Sequence, residues 1–349
     1  MNVEKKIIGN LNKCYSIAPL FYQGKNHILV AAEKHDRCIM FDYLGNEEET
    51  VWTEPGGVMS MQQLPETDGQ FLATSKFFSP NDSAEARILI VTPIKRNVWE
   101  KKVLIELPFI HRFGILESHG NHFLIACTIK SEHKFKDDWS KPGKVYACLL
   151  PKDLSGYNVN HQIHMEVIKE NMLKNHGFTT VCENGEISAI ISSENGIFMF
   201  TPPEEQNKQW GIRKLLDQPG SDAVLVDMDG DGEKELTVIS PFHGDKISIY
   251  KNINGEFEKV YEYEKPAEFS HSIYGGVICD KPSVVIGHRE GNRDLLIFTW
   301  DASKKEFRSD ILDHGCGSAN VYKYNYNGLD YLISANRENN EIALYKLTL

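Results

Sequence analysis

No segment of the 349-residue chain approaches the roughly 18 to 20 apolar residues that span a bilayer, and the opening MNVEKKIIGN has no apolar stretch behind its lysines. Neither a membrane span nor a signal peptide is expected, and a soluble cytoplasmic protein is. Cysteine is sparse and unpatterned. Cys14, Cys38, Cys127, Cys148, Cys182, Cys279 and Cys316 are odd in number and form no CxxC, which points to reduced thiols and excludes a disulfide framework or zinc ribbon. Positive charge is in deficit: 38 Lys and Arg against 49 Asp and Glu leave a net charge of -11, unfavourable for nucleic acid or an anionic membrane as the main partner. No GxSxG, GxGxxG or P-loop is present, so acyl-enzyme hydrolases of the elbow type and nucleotide-binding enzymes lose their usual signatures. Helical periodicity is nearly missing as well; Met165–Lys174 is the best helical candidate and is short.

What the chain has instead is a repeat. A short strand, a Gly/Asn/Asp turn, a strongly apolar strand, a polar loop and a second apolar-aromatic strand recur seven times, centred on 27–42, 71–92, 123–150, 187–201, 235–251, 283–300 and 331–347. Spacings of roughly 40 to 60 residues suit four-stranded propeller blades. The last copy lacks an outer strand, and the strand-like Val3–Ile8 precedes the first. We therefore expect an all-β, seven-bladed propeller over residues 1–349 as a single domain, with the N-terminal strand completing the last blade and removing a sheet edge. Turns of the NG or DG kind fall at Asp68-Gly69, Asn184-Gly185 and Asn327-Gly328.

One copy carries a metal-type loop. Asp227, Asp229, Asp231 and Glu235 follow D-x-D-G-D-G-x-x-E, alternating oxygen ligands with Gly230 and Gly232 at tight turns, as a Ca²⁺ or Mg²⁺ loop requires. The twelfth position is Val238, so it is not an EF-hand. As a connection between the two inner strands it is expected to be structural, an ion or simply an Asx-type turn pinning the loop.

Propeller topology sorts the histidines. Strands run A to D outward from the channel, so the connections entering strand A and the B–C loops share one face. His111, His176, His271 and His314 enter inner strands; His35, His133, His243 and His288 lie in B–C loops; thus eight of thirteen histidines share a face. Their contexts repeat as FIHRFG, KNHGFT and FSHSIYGG. Three neutral imidazoles from His111, His176 and His271 are expected to hold Zn²⁺ or another divalent transition metal. Taken singly, such histidines are more often plain surface or hydrogen-bonded residues, and His27, His119, His122, His161 and His164 are assigned to that class.

Residues 220–239, GSDAVLVDMDGDGEKELTVI, resemble the FG-GAP/VCBS repeat. Together with the His-containing turns they are similar to the propeller portion of aldos-2-ulose dehydratase/isomerase (1,5-anhydrofructose dehydratase) enzymes. That resemblance implies a metal-dependent lyase or isomerase acting on a keto sugar by α-proton abstraction and β-elimination. His243 or His288 would then serve as base and His35 or Tyr274 as acid, with Arg289, Arg293, Arg337 and Asp222 holding substrate. The alternatives are a non-catalytic propeller that binds a carbohydrate or protein partner, and a lactonase-type hydrolase for which only Asp222 and Glu117 offer channel carboxylates. The charged insert Lys130–Gly143 is a candidate lid.

Overall fold

The structure, a computed structural model, describes every residue except Asn184, Gln206 and Asn207. The turn expected at Asn184-Gly185 therefore falls partly outside the described residues. Among the described residues, twenty-eight strands form seven four-stranded antiparallel sheets. Their inner strands, Cys14–Tyr22, Met61–Gln63, Ile110–Ser118, Gly177–Glu183, Asp222–Val226, Ser270–Ile278 and Asn320–Tyr326, contact one another in order around a closed ring. The result is a seven-bladed propeller. Asn2–Asn10 pairs antiparallel with Glu341–Thr348, so the outer strand of blade 7 comes from the N-terminus as expected. Among the described residues no helix is long and apolar enough to cross a membrane. Met165–Lys174 is not helical: Glu166–Met172 is the outer strand of blade 3, its amides satisfied by Gly143–Leu149.

The apolar runs that revealed the repeat are the second strands of the blades. Each such strand is buried on both faces because its blade is sandwiched between two others, so both side-chain parities are apolar. In blade 1, Ile28, Val30 and Ala32 pack toward blade 7, whereas Leu29 and Ala31 pack toward blade 2. Seven apolar clusters result, one at each blade–blade contact. Outer strands such as Glu256–Glu262 (EFEKVYE) are mostly exposed and carry the charge. At Asn327-Gly328 both residues have positive φ, 52° and 74°, as a two-residue hairpin of the I′ type requires.

Candidate metal centre

The functional face is built by one device used repeatedly. Where the chain enters an inner strand the backbone turns left-handed, two residues before the side chain that reaches the channel mouth, at Lys13, Gly57, Phe109, Lys174, Phe269 and Gly317, with φ between 49° and 77°. Four of these six are not glycine, a local cost carried where the chain must enter the channel. A β-bulge follows. In blades 1, 3 and 6 the register shifts across Tyr15, His111 and His271, leaving each unpaired and turned out of the ladder. In blades 4, 5 and 7 the equivalent amides of His176, Ser221 and Ala319 bond to carbonyls at the start of the same ladder. In blade 2, Met59 and Ser60 converge on Thr74 Oγ1. Tyr15, Met59, His111, His176, Ser221, His271 and Ala319 thus occupy equivalent positions around the channel mouth.

Hydrogen bonds around this ring set the imidazole tautomers. His111 Nδ1 lies 3.1 Å from the His176 carbonyl, His176 Nδ1 lies 3.1 Å from the Ser221 carbonyl, and His271 Nδ1 lies 2.9 Å from the Ala319 carbonyl. A carbonyl only accepts, so each Nδ1 carries the hydrogen and each Nε2 keeps its lone pair, the one on His271 accepting from the Tyr15 hydroxyl. This is the outer-sphere arrangement that orients metal-binding histidines. His243 arrives from the B–C loop of blade 5, itself left-handed at φ 52°. Its ring is clamped between Phe242 (centroids 3.8 Å apart) and Phe269 (4.2 Å). Its Nε2 stands 3.3 Å from His176 Nε2. Two ring nitrogens so close, one of them a lone pair, need a hydrogen or a cation between them.

His176, His243 and His271 offer nitrogens that all lie within 4.8 Å of one another. The 3.3 Å between His176 Nε2 and His243 Nε2 matches the separation of two ligands each about 2.0–2.1 Å from one zinc ion. Burial, with Arg112 adding to it, pushes His176 down to about 3. Burial likewise holds His243 and His271 well below the usual histidine range, reinforced by His176 for the first and by Arg289 for the second. All three are neutral at physiological pH, the ligating state. The donor set suits a borderline divalent metal.

The membership of the group differs from the expected one. His243, expected as a base, is in it. His111, expected as a ligand, stands beside it, its ring centroid 4.6 Å from that of His176. His288 is not at the group: its Nδ1 meets the Glu290 carbonyl and its Nε2 accepts the Asp294 amide, so its own loop uses both nitrogens. His35 is exposed against Phe78. Tyr274 lies three residues farther down its strand than His271, about 10 Å along the channel, packed between blades 6 and 7. Arg289 and Arg337 both reach Glu338 Oε1, at 2.7 and 2.6 Å, and Arg337 also pairs with Glu33. Burial pushes Glu338 up, but Arg289 and then Arg337 overcome it and hold the carboxyl at about 2. These two arginines brace the rim through carboxylates, while Arg293 is exposed.

Two residues at the group escaped the sequence reading. Tyr15 Oη lies 3.1 Å from His271 Nε2, and Arg112 Nη2 lies 3.4 Å from Tyr15 Oη. Their signal was available: KCYSIA matches the histidine turns position for position, with Tyr where they carry His. The insert from 130 to 143 packs beside the group. Lys130 is fully buried with Nζ 2.9 Å from the Asp138 carbonyl, and Trp139 packs on Phe242, 5.7 Å between ring centroids.

The acidic loop lies at the opposite end of blade 5. Asp227, Asp229 and Glu235 are grouped closely enough to share an ion, and Asp231 stands outside that set. A cation is already present: Lys251 Nζ contacts Asp229, lies 2.6 Å from Asp231, and lies 3.5 Å from Glu235. Asp227 accepts the Gly230 and Gly232 amides at 2.8 and 3.1 Å, the Asx-turn role foreseen for this loop.

No family model and no curated protein sequence matches the chain. A solved structure of streptogramin B lyase is similar to it over 99% of this chain and 98% of that chain, with a TM-score of 0.59 at 13% identity. At that identity the likeness carries the propeller fold and nothing finer, and the chemistry must be argued from the channel mouth itself.

Proposed function

We propose that the protein is a metal-dependent lyase or isomerase that removes an α-proton from a keto sugar and eliminates or relocates a hydroxyl. One observation carries this: three neutral histidines from blades 4, 5 and 6, two buried and His243 half-buried, bring ring nitrogens within 4.8 Å of one another, two of them backed by backbone carbonyls. A transition-metal ion bound there supplies Lewis acidity to a carbonyl oxygen. The chain supplies the proton handling. His111 Nε2 keeps a free lone pair beside the group and is assigned as the acceptor of the α-proton. Tyr15, held by Arg112, is assigned as the donor to the departing hydroxyl, in place of His35 and Tyr274. Phe242, Phe269 and Trp139 keep water from the rim. That streptogramin B lyase has a similar propeller fold is consistent with elimination chemistry.

The test is metal content and turnover together. Purified protein should retain about one equivalent of zinc or a similar metal, lose it to a chelator, and convert a keto sugar to an ultraviolet-absorbing enone only when loaded. His176→Ala should lose metal and turnover together. Tyr15→Phe should keep the metal while turnover falls about 10²- to 10⁴-fold. Full activity in His176→Ala sinks the assignment. Calcium alone in the purified protein would favour a recognition role.

A further inference from the structure

Just below the histidines, the next position of each inner strand forms a second ring. Ser16, Ser60, Arg112, Asp222, Ser272 and Asn320 line a chamber of about 170 Å³ in the channel, and His271 contributes to its wall. The space is large enough to take the carboxyl end of a polar molecule. The seventh position is Gly177, between Arg112 and Asp222 in blade order. A Cβ there would come within 2.6 Å of the Ser221 carbonyl and 2.7 Å of Asp222 Oδ1, so only glycine leaves this gap.

Arg112 differs from the other arginines of this face. Arg289 and Arg337 are tied to Glu338 and Glu33. Among the described residues no carboxylate lies within ion-pair distance of Arg112. Its Nη1 donates to the Met59 carbonyl at 2.6 Å, its Nη2 reaches only the Tyr15 hydroxyl at 3.4 Å, and its Nε is buried without a partner. A part-buried guanidinium that lines the chamber without a carboxylate partner is a cation preformed for one. Asp222, across the gap, uses Oδ1 on the Ala223 amide at 3.0 Å. Burial pushes it up to about 7 against the pull of Arg112, so near neutrality it cancels that charge only in part.

We infer that this chamber is a carboxylate subsite, with the acid group of the ligand on Arg112 and an adjacent hydroxyl on Asp222, so that the substrate class is a keto-sugar acid rather than a neutral keto sugar. The sugar part rests on the function proposed above; the acid part rests on Arg112 and Asp222, which are not among the histidines that would hold metal.

Calorimetry on the full chain, metal-free and zinc-loaded, with 2-keto-D-gluconate against D-fructose tests it, because the two ligands share chain length and ketone and differ in the acid. The metal-free protein should bind the acid at least tenfold more tightly than the neutral sugar. Arg112→Gln should erase that preference. Because Arg112 also supports Met59, a second variant guards against misfolding: Asn320→Asp keeps size and the acceptor for the Val321 amide while adding a negative charge to the chamber, and should erase the preference as well. Equal affinity for the two sugars, no binding of either, or a preference that survives in folded Asn320→Asp overturns the inference. A protein that fails to retain transition metal but keeps the acid preference would overturn the lyase reading and leave the subsite standing.

Discussion

At the residue scale, the channel mouth shows how much chemistry one backbone position can carry. Seven equivalent positions hold Tyr15, Met59, His111, His176, Ser221, His271 and Ala319, and the carbonyl of one orients the imidazole of the blade before it. The position below contributes one cation and one carboxyl to the chamber, and the carboxyl makes a testable demand on stability. Asp222 is buried and its folded value is raised to about 7, against about 3.9 for an unperturbed carboxyl. Between those values the folded state binds more protons than the unfolded state, so this group's contribution to stability falls as pH rises from about 4 to about 7. Below that window the penalty is absent; above it the penalty is complete, at most on the order of 4 kcal/mol for a shift of about three units. Asp222→Asn should therefore unfold at a higher urea midpoint than wild type at pH 8.5 and at nearly the same midpoint at pH 4.5. A difference between the two proteins that does not change with pH would show that Asp222 stays ionised throughout.

At the scale of elements, the second strands were plainly legible and the entries to the first strands only partly so. Runs such as HILVAA and FLIAC announce burial on both faces, and their spacing gives the blade count, because each must feed two apolar clusters. Turns with an obligatory residue type were legible too, as at Asn327-Gly328. A bulge has no such signature. The left-handed turn before it uses Lys13, Phe109, Lys174 and Phe269 as readily as Gly57 and Gly317, so nothing in composition marks where Tyr15 leaves the ladder. Nor does spacing reveal that the loop holding His243 folds inward between two phenylalanines while that of His288 closes on itself. The acidic loop makes the same point in reverse: its motif is clear, but Lys251, sixteen residues beyond Glu235, takes a cation's place in three dimensions. Lys251→Met should leave the fully buried Glu235 and its two aspartates without a counter-charge, a loss of about 3–5 kcal/mol if the cluster behaves as a buried pair. Its melting temperature should drop, and millimolar Ca²⁺ should restore part of the loss in the variant while moving the wild type little. No recovery with Ca²⁺ would identify the loop as a lysine-closed turn that takes no ion.

At the scale of the whole molecule, ring closure is what keeps the histidines together. The group draws on blades 4, 5 and 6, Tyr15 belongs to blade 1 and Arg112 to blade 3, so a small splay between any two blades would separate groups now about 3 Å apart. The seam that prevents it is the pairing of Asn2–Asn10 with Glu341–Thr348, from Asn2 opposite Thr348 to Asn10 opposite Glu341 with one register shift across Ile8, and with Val3 and Ile8 packing into the clusters on either side of blade 7. Each of its hydrogen bonds contributes about 0.5–1.5 kcal/mol net, so the strand as a whole is comparable with the 5–15 kcal/mol stability of a typical domain. Removing residues 1–10 exposes the edge of EIALYKLT, which carries buried Ile342 and Leu344 and would invite pairing with another chain. The truncated protein should melt at lower temperature and with less cooperativity, and should associate in a concentration-dependent way on size exclusion. A synthetic peptide of residues 1–10 should restore the elution volume of the intact protein, because the missing strand supplies pairing and not chemistry. Metal retention should return with the peptide, since the ligands themselves lie far from the seam in sequence and depend on it only through the ring. A truncation that elutes, melts and retains metal as the intact protein does would mean that the blade contacts hold the ring without the seam, and that the N-terminal strand protects an edge rather than the site.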